Sequence, residues 1–316
     1  MAKKALLIGI NASPGAPLRG CLNDVEDWHR VLTSVGKYNP DNVRVAADER
    51  ATTQGIRDRM AWLREGMVGA GDEVIFCYSG HGSQVRDRGP QDELADHMDE
   101  ILCPVDLDWN TKVITDDDLG DWLKTFPAGV KVTLILDCCH SGTGTRDLRP
   151  PVENPHYKAS KFLLPPIDIE LRAEGLKQNK DVHTTKLGHG VVRRVKAWRD
   201  LRKAVVQPKG WSWFGWGTPK PKPKPKPVPA PQPVVPALNH VLIGGCRSDQ
   251  TSADAFINSR YNGALTRFVI NEIAKGAGRS VADIGNAARA AILSAGYTQE
   301  AQVEGPANLL NAPLFS

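Results

Sequence analysis

The stretch Val130-Lys131-Val132-Thr133-Leu134-Ile135-Leu136 decides the fold, and it runs directly into Asp137-Cys138-Cys139-His140-Ser141-Gly142. Its seven residues are mostly β-branched or aliphatic, and a glycine-containing turn follows them, which predicts a buried strand. A short strand that is apolar on both faces is typical of a parallel sheet covered by helices. The polar motif at its end is where such sheets carry functional groups.

Similar apolar runs lie on both sides of this strand and alternate with segments of helical spacing. Strands are predicted at residues 4–10, 43–46, 73–79 and 240–245, and helices at 22–32, 53–65, 119–123, 264–274 and from Ser280 onward. The alternation predicts an α/β fold with a mostly parallel sheet of about six strands, flanked by helices on both faces.

A basic, proline-rich insert divides the chain. We expect a first block at 1–148, an insert or linker, partly disordered, at 149–237, and a second block at 238–316 that completes the same sheet. Residues 149–236 hold 18 Lys or Arg against 6 Asp or Glu, so an insert of net charge +12 interrupts a body of net charge −8. Lys and Pro alternate over 219–227, which predicts polyproline II rather than helix or sheet.

Composition narrows the class of protein. No apolar run approaches the roughly 20 residues of a membrane helix, and the short apolar start at residues 5–10 predicts a strand rather than a signal sequence. We therefore expect a cytoplasmic protein with no membrane span. The six cysteines are spread over 316 residues, which favours reduced thiols over a disulfide scaffold. No nucleic-acid partner is expected.

Two strand ends carry the residue types of nucleophilic catalysis. Tyr78-Ser79-Gly80-His81-Gly82 ends one strand, and the Cys138-Cys139 pair ends another. The carboxyl ends of parallel strands meet at one edge of the sheet, so a thiol and an imidazole there can form a nucleophile–base pair. The backbone N–H groups of Gly82 and Cys139 are candidates for stabilising an oxyanion.

Other interpretations of these residues remain open at this point. The cysteines fit small buried core residues, and a lone histidine after a strand is usually structural. Cys138, Cys139 and His140 fit a metal site poorly, because adjacent residues rarely hold one tetrahedral ion.

Taken in their order along the chain, the motifs resemble those of the caspase-like clan of cysteine proteases and, within that clan, those of the metacaspases. The resemblance covers about 1–148 and 238–316 and skips the insert. It rests on residues 3–11, 18–24, 78–82, 104–106, 114–118, 137–142, 245–255, 263–266 and 311–315. The start of the chain and the long insert resemble the type II arrangement, without a prodomain.

The resemblance implies a caspase-like fold and assigns roles to single residues. The cysteine before His-Ser-Gly is the family's nucleophile, which selects Cys139, and the histidine of Ser-Gly-His-Gly is the base, which selects His81. The family cleaves protein or peptide substrates after Arg or Lys and is mostly monomeric. The matching specificity pocket would be formed by Asp24, Asp137, Cys21 and Ser79.

The resemblance also implies stimulation by calcium. The matching acidic residues are Asp99, Asp116, Asp117 and Asp147, and carboxylate oxygens suit a weak calcium site. The alternative is structural, because Thr115 followed by three aspartates is also a favourable helix N-terminus.

Specificity for basic residues makes the insert a candidate substrate of the same chain. We expect self-cleavage within it, with Arg193, Arg194 and Lys196 as the favoured sites, because proline hinders cleavage in the Lys/Pro tract. The alternative function is a catalytically silent caspase-like interaction module that uses the basic, Pro-rich tract.

Overall fold

The computed structural model describes residues 1–86, 98–139, 158–166, 240–247, 250–276 and 278–315. The strands are β1 (Lys3–Gly9), β2 (Val43–Ala47), β3 (Glu73–Ser79), β4 (Gly82–Arg86), β5 (Met98–Leu102), β6 (Ile114–Thr115), β7 (Lys131–Asp137), β8 (Lys158–Ser160), β9 (His240–Gly244), β10 (Ala253–Ile257), β11 (Arg260–Gly263) and β12 (Gln302–Glu304). The α-helices are α1 (Cys21–Ser34), α2 (Thr53–Arg64), α3 (Asp116–Lys124), α4 (Ala264–Ala274), α5 (Val281–Ser294) and α6 (Ala307–Leu310).

A six-stranded sheet forms the centre, in the order β12-β9-β7-β3-β1-β2. Strands β2, β1, β3, β7 and β9 pair in parallel, and β12 adds an antiparallel edge. The prediction of a mostly parallel sheet is confirmed, and each predicted strand lies within one residue of its expected bounds. Strand β9, from beyond the insert, pairs directly with β7.

Helices cover both faces of this sheet, as predicted, because alternate strand residues point to opposite sides. On one face Ile8, Phe76 and Leu134 pack among side chains of α2 and α3. On the other face Leu7 and Ile135 pack among side chains of α1, α4 and α5. Helix α5 begins as the sequence predicts, with the Ser280 side chain accepting a hydrogen bond from the N–H of Asp283.

Two small antiparallel sheets stand beside the central sheet, and the sequence did not predict them. One has the order β4-β5-β6 and starts three residues after β3 ends. The other has the order β11-β10-β8, and its strand β8 comes from the predicted insert. Each strand is short, so its alternation of polar and apolar residues is weak.

Within the described ranges, no helix has the length and apolar character needed to cross a membrane.

Candidate active site

His81 lies between β3 and β4, at the carboxyl end of the central sheet. Its main chain is fixed, because the Tyr78 hydroxyl donates to its carbonyl oxygen at 2.6 Å and the N–H of Cys103 does so at 3.0 Å. The adjoining Gly82 is required, since a Cβ there would collide with the carbonyl oxygen of Cys139. The strand ends therefore bring the histidine motif and the cysteine motif into contact.

The ring of His81 is oriented by one hydrogen bond. Its Nε2 lies 2.7 Å from the carbonyl oxygen of Ala16, so Nε2 carries the proton and donates it. Its Nδ1 is buried and has no hydrogen-bond partner. Burial lowers the pKa of His81 to about 4, so the imidazole is neutral at physiological pH. An unpaired basic nitrogen is therefore held ready for a proton.

Cys139 directly follows Cys138 at the end of β7 and is fully buried. Its Sγ accepts a hydrogen bond from the N–H of Ser252, and no hydrogen bond joins it to His81 among the described residues. Burial, and then the neighbouring thiol of Cys246, raise its pKa well above the usual value. The thiol is therefore protonated. Cys138 packs instead into the core beneath α2 and α3.

The four residues predicted for a specificity pocket lie together beside these groups. Asp24 and Cys21 come from α1, Ser79 ends β3, and Asp137 ends β7, and all four are buried. Asp24 accepts hydrogen bonds from the Ser79 hydroxyl at 2.6 Å and from the N–H of Gly263 at 3.0 Å. Burial raises the pKa of Asp24 to about 7.

The side chain of Lys161 fills this acidic pocket. Its Nζ lies 2.9 Å from Ser79 Oγ, 3.2 Å from Asp137 Oδ1 and 3.4 Å from Asp24 Oδ2. The lysine side chain is 0% exposed. Burial opposes its charge, but the carboxylates led by Asp137 outweigh this and raise the pKa of Lys161 well above its usual value. A buried cation is thus held by fixed anions.

The main chain of Lys161 lies across the cysteine and histidine motifs. Its carbonyl oxygen accepts hydrogen bonds from the N–H of Gly82 at 2.9 Å and of Cys139 at 3.4 Å. Its own N–H donates to the carbonyl oxygen of Ser252 at 2.9 Å, continuing the antiparallel pairing of β8 with β10. The segment is therefore extended. The carbonyl oxygen of Lys161 binds the N–H groups of Gly82 and Cys139, which the sequence analysis proposed as the groups that stabilise an oxyanion.

Besides Lys161, sequence reasoning missed two residues of the site, although both fall in the stretch 245–255 that carries the family resemblance. Ser252 contacts Cys139, and its hydroxyl donates to Asp137 at 2.8 Å. Asp254 is a third buried carboxyl near Lys161, and burial raises its pKa to about 6. Its Oδ1 has no hydrogen-bond partner, while Oδ2 accepts from the N–H of Arg19.

Three of the four residues predicted to bind calcium lie in the described part of the chain. Asp99 lies on β5, and Asp116 and Asp117 lie in the first turn of α3, where Thr115 forms a capping box with Asp118. No group of three or more His, Cys, Asp or Glu in the described ranges is arranged to hold a metal ion. Calcium binding by these residues therefore stays a prediction, because the fourth of them lies outside the described ranges.

Four further predicted residues, Asp147, Arg193, Arg194 and Lys196, fall outside the described residues. The fourth predicted calcium ligand and the three favoured cleavage sites therefore stay predictions.

The central sheet, its helical layers and the thiol–imidazole edge together define a caspase-like α/β domain. Residues 3–148 match the family model described as the metacaspase, peptidase C14 domain. The first block of the chain, residues 3–148, therefore carries a metacaspase peptidase domain.

Two curated relatives and one solved structure illustrate the similarity. Metacaspase-1 of Yarrowia lipolytica is 29% identical over 312 residues, which is 95% of this chain and 61% of that protein. Metacaspase-1 of Arabidopsis thaliana is 34% identical over 148 residues, 45% of this chain and 40% of that protein. The crystal structure of protein GSU0716 from Geobacter sulfurreducens shares the fold, with a TM-score of 0.58 and 21% identity over 100% of this chain and 99% of that one.

Proposed function

We propose that this chain is a cysteine endopeptidase that cleaves after Lys or Arg, and that its first substrate is its own Lys161–Phe162 bond. One observation carries the proposal: the buried Lys161 has its ammonium on Asp24 and Asp137 and its carbonyl oxygen on the N–H groups of Gly82 and Cys139. A peptide held for cleavage needs both contacts at once, a recognised side chain and a polarised carbonyl.

The chemistry follows from the groups in place. His81 Nδ1 removes the proton from Cys139 Sγ, and the thiolate attacks the carbonyl carbon of Lys161. The N–H groups of Gly82 and Cys139 stabilise the oxyanion that forms. The C–N bond then breaks as His81 returns the proton to the Phe162 amine. Water hydrolyses the thioester, which releases the Lys161 carboxylate and restores the thiol.

Before cleavage the same segment holds the site inactive. Cys139 Sγ is hydrogen-bonded to the N–H of Ser252 rather than to His81, and burial keeps it protonated. Attack therefore requires the thiol to leave Ser252 and turn toward the imidazole. The segment around Lys161 also excludes other substrates until it is cut, which is the behaviour of a zymogen.

Specificity for basic residues rests on charge. Asp24, Asp137 and Asp254 are all buried around one cation, and a pocket of fixed carboxylates stabilises a lysine or arginine that would be costly to bury unpaired. An acidic side chain in this pocket would be repelled. Asn262 and the N–H of Gly263 hold Asp24 in position by hydrogen bonds at 3.0 Å.

Self-cleavage is tested by incubating the purified full chain and determining the masses and N-termini of the fragments. We expect a fragment that begins at Phe162 when calcium is added. Lys161→Arg should preserve this cut and Lys161→Met should abolish it. The chain that carries Arg193→Gln, Arg194→Gln and Lys196→Gln is the matched control, and it should still yield the Phe162 terminus.

Two outcomes would overturn the proposal. A first cut at Arg193, Arg194 or Lys196 that survives Lys161→Met would mean that Lys161 only plugs the pocket. An intact chain that also leaves every Lys and Arg peptide uncleaved would favour a silent interaction module. Cys139→Ala is the negative control for both self-cleavage and peptide cleavage.

A further inference from the structure

The segment that carries Lys161 stays bound beyond the proposed cleavage point. Phe162 forms a parallel bridge with Gly82, at the start of β4. The N–H of Leu163 donates to the Gly82 carbonyl oxygen at 2.9 Å, and the Ser83 hydroxyl donates to the carbonyl oxygen of Leu163. The second residue after the bond is therefore held through both of its main-chain polar groups.

The side chain of Leu163 packs against a separate apolar cluster. The cluster consists of Val85 on β4, Ile101 on β5, Cys103, and Val113 just before β6, each no more than 3% exposed. Leu107 and Trp109 pack at its margin. The small sheet β4-β5-β6 thus forms an apolar pocket at a fixed distance from the acidic one.

We propose that this pocket selects an apolar residue of leucine size two positions after the cleaved bond. The inference rests on the proposed function and extends it. The substrate class becomes extended protein segments of the pattern Lys or Arg, any residue, then Leu or a similar side chain. Main-chain pairing fixes the register, so the side chains at these two positions are presented to the acidic pocket and to the apolar cluster.

A contact on the other side of the bond contributes less. Lys158, three residues before Lys161, places its ammonium 4.3 Å from the centre of the Tyr297 ring. Lys158 is exposed, and an exposed cation–π contact changes affinity by only a few-fold. Covering much of a leucine side chain with apolar surface changes affinity about tenfold. Selection after the bond is therefore the stronger effect.

The pocket is tested with quenched fluorogenic peptides and the self-cleaved protein. The parent peptide carries residues 158–165, Lys-Ala-Ser-Lys-Phe-Leu-Leu-Pro. One variant replaces its first leucine, the counterpart of Leu163, with serine. The matched control replaces the second leucine, the counterpart of Leu164, with serine. A third replaces the lysine before the bond with glutamate.

We expect kcat/KM to fall about tenfold for the first leucine and less than twofold for the second. Val113→Thr keeps the shape of the pocket wall but adds a hydroxyl, and it should reduce the preference for leucine over serine severalfold while the parent peptide is still cleaved.

Each result decides between the two claims. Equal cleavage of the parent and first-leucine peptides, with the glutamate peptide uncleaved, overturns the pocket and leaves the proposed function intact. Cleavage of none of the peptides overturns the proposed function and this inference with it. A loss that follows the second leucine instead places the selection elsewhere and also overturns the inference.

Discussion

Lys161 Nζ lies 3.2 Å from a carboxylate oxygen of Asp137, and the two side chains are 0% and 1% exposed. Removing both charges from water is costly, and their attraction offsets this only where the surrounding hydrogen bonds are complete. Here Asp137 also accepts from the Ser252 hydroxyl and from the N–H of Thr266. The pair therefore attaches the segment to the site firmly while either partner alone would be unstable there.

We expect Asp137→Asn to lower the free energy of unfolding of the uncut chain by about 3 kcal/mol, because Lys161 would keep a poorly compensated buried charge. The change is measured by urea unfolding in a Cys139→Ala background, which prevents cleavage. In a Lys161→Met background the same substitution should cost much less, and the double-mutant cycle isolates the coupling of the pair.

The matched control is Asp121→Asn, which removes an exposed ion pair with Lys124 and should leave stability unchanged. Additive effects of Asp137→Asn and Lys161→Met would contradict the buried pair.

The two adjacent cysteines should behave differently. We expect Cys139→Ala to abolish self-cleavage and peptide hydrolysis. Cys138→Ala should preserve both at a small cost in stability, because Cys138 packs in the core beneath α2 and α3. For each variant, the fragment yield measures self-cleavage and circular dichroism checks that the chain is folded. Residual cleavage by Cys139→Ala, or a folded but inactive Cys138→Ala, would reassign the nucleophile.

The central sheet could be predicted because its signals are local. Strands β3 and β7 are runs of seven buried residues. The start of helix α5 is marked in the sequence by the capping residues Ser280 and Asp283. The two motifs at the strand ends were found for the same reason. Parallel pairing then determines that β3 and β7 end side by side.

Lys161 could not be singled out in this way. It is one of 18 basic residues in the insert, and although Phe162 and Leu163 follow it, nothing local predicts burial of the lysine side chain itself. Its environment is made by Asp24 and Asp137, which lie 137 and 24 residues away in sequence. Asp254 and Ser252 were likewise visible only as part of a motif, because their roles depend on where β10 lies relative to β8.

Calcium stimulation is a separate prediction. The antiparallel pairing of β5 with β6 brings the start of α3 beside the strand that carries Asp99. If a weak site forms there, Asp117→Asn should raise the calcium concentration needed for half-maximal self-cleavage several-fold. Asp121→Asn, later on the same helix, is the matched control. Equal rates of self-cleavage in chelator and in millimolar calcium would show that calcium does not stimulate the reaction.

The pH dependence should differ between self-cleavage and peptide hydrolysis. Burial, and to a smaller extent the charge of Lys161, hold the pKa of His81 at about 4 in the uncut chain. A base with a lowered pKa stays neutral until the pH falls through that value, so self-cleavage should persist at pH 5 and be lost near pH 4.

Peptide hydrolysis by the cut chain should fail at a higher pH for two reasons. Departure of the Lys161 segment exposes His81 to water and removes a nearby cation, so its pKa moves up toward 6.5. Asp24 and Asp254 must also be ionised to bind a new cation, and burial already raises their pKa values to about 7 and 6 while Lys161 occupies the pocket. Loss of the Lys161 charge removes an influence that lowers both pKa values, whereas in the uncut chain the cation is already in place. The test measures single-turnover rates of self-cleavage and kcat/KM for a Lys peptide from pH 3.5 to 8, with circular dichroism as the folding control. The quantity compared is the pH at which each activity falls to half on the acid side. If both activities were lost at the same pH, or self-cleavage at the higher pH, Lys161 and its segment would not depress the pKa of His81.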